Sequence, residues 1–126
     1  MKSKEITVLM VKPNENPIIT TMKNDLDSLQ KAVSIGADYQ GLIEIFAIDD
    51  GVCVLCNEEG KLIGLEGNRR IGNDIITGVF YVVGEDGHGN LTSLPEDLLQ
   101  AYQRHFWEPE QYTRADIEET LFVRIY

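Results

Sequence analysis

Residues 49–84 read D-D-G-V-C-V-L-C-N-E-E-G-K-L-I-G-L-E-G-N-R-R-I-G-N-D-I-I-T-G-V-F-Y-V-V-G, and this stretch makes the chain a sheet protein. Residues 52–55 are apolar and β-branched, 57–60 have turn composition, 61–65 are expected to return as a second strand, and 75–83 form a third and stronger one. The Asp-Gly pair at 50–51, flanked by apolar residues on both sides, predicts a tight hairpin with the strand before it. Residues 64–73 are expected to be a glycine-rich loop carrying the only Arg-Arg pair in the chain, Arg69-Arg70.

Upstream, residues 38–49 alternate over a long strand, with Leu42, Glu44 and Phe46 on one face and Ile43, Ile45 and Ala47 on the other. Before that, residues 5–11 and 18–23 read as strands separated by the turn K-P-N-E-N-P, short enough to make them a hairpin. A helix follows, capped by Asn24 or Asp25, with Leu26, Leu29, Ala32 and Val33 at helical spacing and Gly36 as its stop. Downstream, G-E-D-G-H-G-N at 84–90 is a polar loop. Ser93 is placed to cap a second helix, with Pro95 in its first turn and Leu98, Leu99, Tyr102 and Phe106 on its apolar side. Residues 107–113 break that helix. R-A-D-I-E-E-T then allows another helical turn, and the closing L-F-V-R-I-Y is strand-like. The fold expected is a single α+β domain over 1–126: a mostly antiparallel sheet of five to seven strands with two helices.

Composition narrows the partners. With 43% hydrophobic residues in 126, one core can form without disulfides or metal. The 21 acidic against 11 basic residues give a formal charge of −10, a field that repels phosphate backbones and anionic lipid, so direct nucleic-acid binding and membrane association are not expected. The acids are scattered rather than gathered in a tail. Their bland reading is solubility; their sharp one is imitation of nucleic acid by carboxylates. No stretch has the length of a membrane span or the pattern of a secretory signal, and two cysteines three apart in an apolar strand suit reduced thiols, so a cytoplasmic protein is expected.

The motifs that carry chemistry are few. Cys53-x-x-Cys56, with His88 and His105 as further ligands, has the spacing of a zinc knuckle. Residues three apart on a strand face opposite sides, however, so strand thiols explain the pair better and no metal is expected. The glycine loop at 84–90 lacks the lysine of a phosphate loop and the spacing of a calcium loop, and no cofactor is expected. No Ser, Cys or Thr is spaced with a histidine as a nucleophile needs. Glu44, Glu58, Glu59, Glu66 and Asp74 leave open a carboxylate-based hydrolase of small molecules, with the weight against an enzyme. In an acidic chain the locally reversed charge at Asn68, Arg69 and Arg70 is the candidate contact surface for a partner, weighed against Arg69 pairing with Asp74 or another carboxylate inside the fold.

Asn57-Glu-Glu-Gly-Lys61, Asn68-Arg69 and D-I-I-T-G-V-F at 74–80 ending at Gly84, set in this order of elements, resemble domain-of-unknown-function family 3846 over roughly residues 6–106. The resemblance implies a small protein of bacteria, phages or conjugative elements, in a setting sometimes shared with antirestriction domains. It implies no activity, substrate or cofactor, and residues 107–126 fall outside it as an extension. The expected function is non-catalytic binding of an unknown protein partner by an accessory protein of a phage or mobile element. An acidic DNA mimic that inhibits a host defence enzyme is the alternative, and a homodimer is compatible with the sequence.

Overall fold

The computed structural model describes residues 4–121. β1 (Glu5–Val11) pairs antiparallel with β2 (Ile18–Lys23), and helix α1 (Leu26–Ala32) follows, its N-terminus capped by Asp25, whose carboxylate accepts the Ser28 N–H. β3 (Ile43–Asp49) turns at Gly51, where φ is +69°, into β4 (Val52–Asn57). β5 (Gly67–Ile71) and β6 (Asp74–Thr77) form a separate two-stranded ribbon. β7 (Phe80–Glu85), β8 (Leu91–Thr92), α2 (Glu96–His105) and α3 (Arg114–Glu119) complete the described chain.

The main sheet runs β2-β1-β7-β4-β3 with β8 on β7, all antiparallel. In its central strands residues 52–56 and 80–83 are continuously apolar because both faces are covered. Val52, Val54 and Cys56 of β4, Phe80 and Val82 of β7, and Leu9 and Val11 of β1 point to the side closed by Leu99 of α2, Phe106 at its C-cap and Ile76 of the ribbon. Cys53, Leu55, Tyr81, Val83, Ile6 and Val8 point the other way, toward Val33 at the end of α1. The α+β architecture expected from the sequence is therefore the observed one, with one helix between the second and third strands and others toward the C-terminus.

Four local expectations are corrected. Residues 61–64 form turns rather than a strand, since Ile63 N–H bonds to Glu59 O and Leu65 N–H to Gly60 O. The loop expected at 64–73 contains β5. The single strand expected at 75–83 is broken at Gly78 (φ +74°), so its first half lies in the ribbon and its second in the main sheet. A side chain at Gly78 would be strained by this φ, and its Cβ, 2.8 Å from Leu65 Cδ1, would also push Leu65 aside. Ser93 does not cap α2; its hydroxyl accepts the Thr7 N–H at 2.8 Å, tying β1 to the segment before the helix, and Pro95 stands at the cap position. The R-A-D-I-E-E segment is helical, with a capping box between Thr113 and Asp116. The strand-like end at 122–126 lies outside the described residues.

Candidate functional site

Asn68 and Arg69 are fully buried, while Arg70 beside them is exposed. The reason is the strand period: β5 turns successive side chains to opposite faces, with an irregularity between Gly67 and Arg69 that sends both Asn68 and Arg69 inward. Asn68 Nδ2 donates to Val11 O at 2.9 Å and to Gly78 O at 2.8 Å, joining the end of β1 to the break between β6 and β7. Arg69 Nη2 donates to Glu15 O at 2.7 Å, Nε to Phe106 O at 3.0 Å and Nη1 to Asn68 Oδ1 at 2.7 Å. Nη1 also lies 3.5 Å from Lys12 O. The expected Arg69–Asp74 pairing is corrected: Asp74 forms its buried ion pair with Lys61, and the Arg69 guanidinium spends its donors on carbonyls. Burial lowers the Arg69 pKa, and Glu110 and Tyr112 offset part of that.

These two side chains brace one wall of a cleft of ≈ 370 Å³. Lys12, Pro13 and Glu15 of the β1–β2 turn form that wall, held through the carbonyls that Arg69 bonds. Asn16 Nδ2 to Trp107 O at 2.7 Å and Gln103 Nε2 to Pro17 O at 3.0 Å fasten the same turn to the end of α2. Ile35 and Gly36, just past α1, face it, and Gly64, Leu65, Glu66, Gly78 and Val79 complete the lining. Gly36 and Gly64 have positive φ, and a Cβ on either would meet nothing within 4 Å, so their backbones stand open to the cleft. The cleft volume lies in the range of small-ligand sites, roughly 300–1,000 Å³. Lys12, Glu15 and Glu66 carry no side-chain ion pair among the described residues, so charges of both signs stand over the apolar surface of Ile35, Leu65 and Val79.

Sequence reasoning marked Asn68 and Arg69 but not the residues they position. The turn K-P-N-E-N-P and the glycines at 36, 64 and 78 were the available signals, separated by up to 66 positions from Lys12 to Gly78, and no local pattern joins them. The other candidates stay apart. Cys53 and Cys56 are both buried, on opposite faces of the sheet, and burial raises the Cys53 thiol pKa. Among the described residues no group of three His, Cys, Asp or Glu side chains gathers as metal ligands would, and no helix is long and apolar enough to cross a membrane.

The chain thus presents an α+β domain with a braced cleft and a small ribbon beside it. A family model for the domain of unknown function DUF3846 matches residues 6–107, and the chain belongs to that family. No curated protein and no solved structure matches it.

Proposed function

We propose that this protein is a non-catalytic binding protein of a phage or mobile genetic element, acting in a bacterial cytoplasm, and that its partner is a protein engaged through the cleft. The observation that carries the reading is the bracing of the cleft wall: the Lys12–Glu15 turn is held by a buried arginine, and a buried asparagine fixes Val11 just before it, rather than the turn being left as a surface loop. A wall fixed before binding loses little entropy on association, which is what preorganised recognition sites exploit. Open glycine backbone, an apolar floor and uncommitted charges suit a side chain or short loop of a partner, with the floor supplying affinity and the charges orientation.

The test is affinity capture from a bacterial host with the immobilised chain, run beside Ile35→Asp and Glu66→Lys. Ile35 is 48% exposed and Glu66 is exposed, so both variants are expected to fold. The wild-type chain is expected to retain one protein in near-stoichiometric amount that both variants lose. Retention of nothing, or equal retention by all three, overturns the reading. Displacement of the retained protein by duplex DNA would turn the proposal toward the DNA-mimic alternative.

A further inference from the structure

Residues beyond Trp107 lie outside the family match, and among them Glu110, Tyr112 and Ile117 pack on the ribbon. Glu110 Oε1 accepts the backbone N–H of Arg70 at 2.8 Å, a donor of β5 that β6 does not take. The Tyr112 hydroxyl donates to the same carboxylate, and its ring lies 5.6 Å from the Arg70 guanidinium carbon. At Gly67 the backbone and this segment meet directly, since a Cβ there would stand 3.0 Å from Tyr112 Cβ and 3.3 Å from Ile117 Cδ1. Past α3, the Lys61 ammonium donates to Thr120 O while paired with Asp74, placing a cation at the helix C-terminus. Each contact is a known way for a strand edge to read a peptide: a carboxylate on a free N–H, an aromatic ring on a cation, an apolar side chain over a glycine.

We propose that this face of the ribbon is a peptide-docking surface, occupied in cis by residues 110–120 and open in trans to a partner segment with the same pattern. That pattern is an acidic residue, an aromatic residue two positions on and an apolar residue five positions after that, as in Glu110, Tyr112 and Ile117. Two independent features select the acidic residue. The Arg70 N–H points out of the ribbon. Arg69, directly behind, is a buried cation that forms no ion pair among the described residues, so a carboxylate at this edge meets favourable potential in a molecule of charge −10. Tethering presents the cis segment at an effective concentration on the order of millimolar, so the intact chain holds its own segment and a competitor enters only as that segment lifts. Gln111 Nε2, bonded to Asn14 Oδ1 at 2.6 Å, ties the same segment to the turn that walls the cleft, so release frees both places together.

The experiment separates the segment from the body without deleting it. A site for a specific protease is inserted between Glu108 and Pro109 of the full chain, and the cut protein is titrated with a fluorescent synthetic peptide of residues 109–121. In parallel, the uncut Tyr112→Ala, Ile117→Asp double variant receives the same peptide, which covers the case in which the cut body does not stay folded. The peptide is expected to bind one or both with micromolar affinity and to leave uncut wild-type protein alone. Peptides carrying Glu110→Gln or Tyr112→Ala are expected to bind at least about tenfold weaker. Failure of the peptide to enter either form, or entry that ignores both substitutions, overturns the proposal.

Discussion

The main sheet and the β5–β6 ribbon are both antiparallel, yet the ribbon adds buried polar anchors to its apolar ones, Ile75 and Ile76. In the sheet, Val54, Leu55, Val82 and Phe80 are buried among apolar neighbours, and the Phe80 and Phe106 rings meet edge to face at 5.3 Å. In the ribbon, three of the side chains that fix its position are polar: Asn68 and Arg69 reach across to β1, the Lys12–Glu15 turn and the end of α2, and Asp74 pairs with Lys61. Apolar burial is non-directional and survives imperfect fit, whereas a buried guanidinium contributes only if its carbonyls stand where its fork points. The sheet therefore supplies stability and the ribbon supplies placement, and the cleft lies where the two join.

The contrast is tested first at its strongest points. Phe80→Ala should cost about 3–5 kcal/mol by emptying the centre of the core, read as a lower denaturant midpoint at unchanged slope. Arg69→Ala should follow at about 3 kcal/mol, because it strands the carbonyls of Glu15 and Phe106 and the Asn68 amide oxygen. Arg69→Lys should recover little of that loss, since one ammonium cannot reproduce the fork. An Arg69→Ala loss below about 1 kcal/mol would erase the distinction between the two regions.

The apolar half of this contrast was open to sequence reading and the polar half was not. Alternation at residues 5–11 and continuous apolar runs at 52–56 announced the strands because burial on one face or two leaves a period in the residues themselves. G-N-R-R-I leaves none: it is a strand because Asn68 and Arg69 find carbonyls more than 35 positions away in the chain, at Val11, Glu15 and Phe106. Gly78 reads as part of a strand because β-branched residues flank it on both sides, and only its positive φ, at the point where the chain passes from the ribbon to the main sheet, makes it a break. Arg69 and Arg70 stand out in the sequence for their charge, and the fold hides that of Arg69 while leaving Arg70 exposed. The cleft was illegible for the same reason, being assembled from four separated pieces of chain.

A pH experiment sharpens the sheet side. Tyr81 lies under α1 with its hydroxyl donating to Ala32 O at 2.9 Å, and burial pushes its pKa from 10.0 up to about 12. The folded protein disfavours the phenolate relative to the unfolded chain. The contribution of the neutral phenol is therefore whole below pH about 10 and disappears as pH rises toward about 12, a loss of about 2–3 kcal/mol. Tyr81→Phe should cost about 1 kcal/mol at neutral pH by leaving Ala32 O without its donor, and should remove the component of the alkaline loss that belongs to this residue. An alkaline stability profile identical in wild type and variant would show that the hydroxyl is not held as the structure has it.

The smallest effect is expected one residue from one of the largest. Arg70 neighbours Arg69 in sequence, but its side chain is exposed, lying over the face of Tyr112 and within electrostatic reach of Asp116. Replacing it with alanine keeps the backbone N–H, so Glu110 Oε1 retains its donor, and only solvated contacts are lost, the cation–π contact with Tyr112 and the attraction to Asp116. The expected cost is about 0.5–1 kcal/mol, a shift of a few degrees at most in the melting temperature. Amide exchange reads the position more finely: the Arg70 N–H should stay protected in Arg70→Ala and lose protection in Glu110→Ala, where its acceptor is gone. If Arg70→Ala proved as costly as Arg69→Ala, the two guanidiniums would be equivalent supports of the ribbon, and the division between a hidden arginine that places the cleft and an exposed one that meets the C-terminal segment would fail.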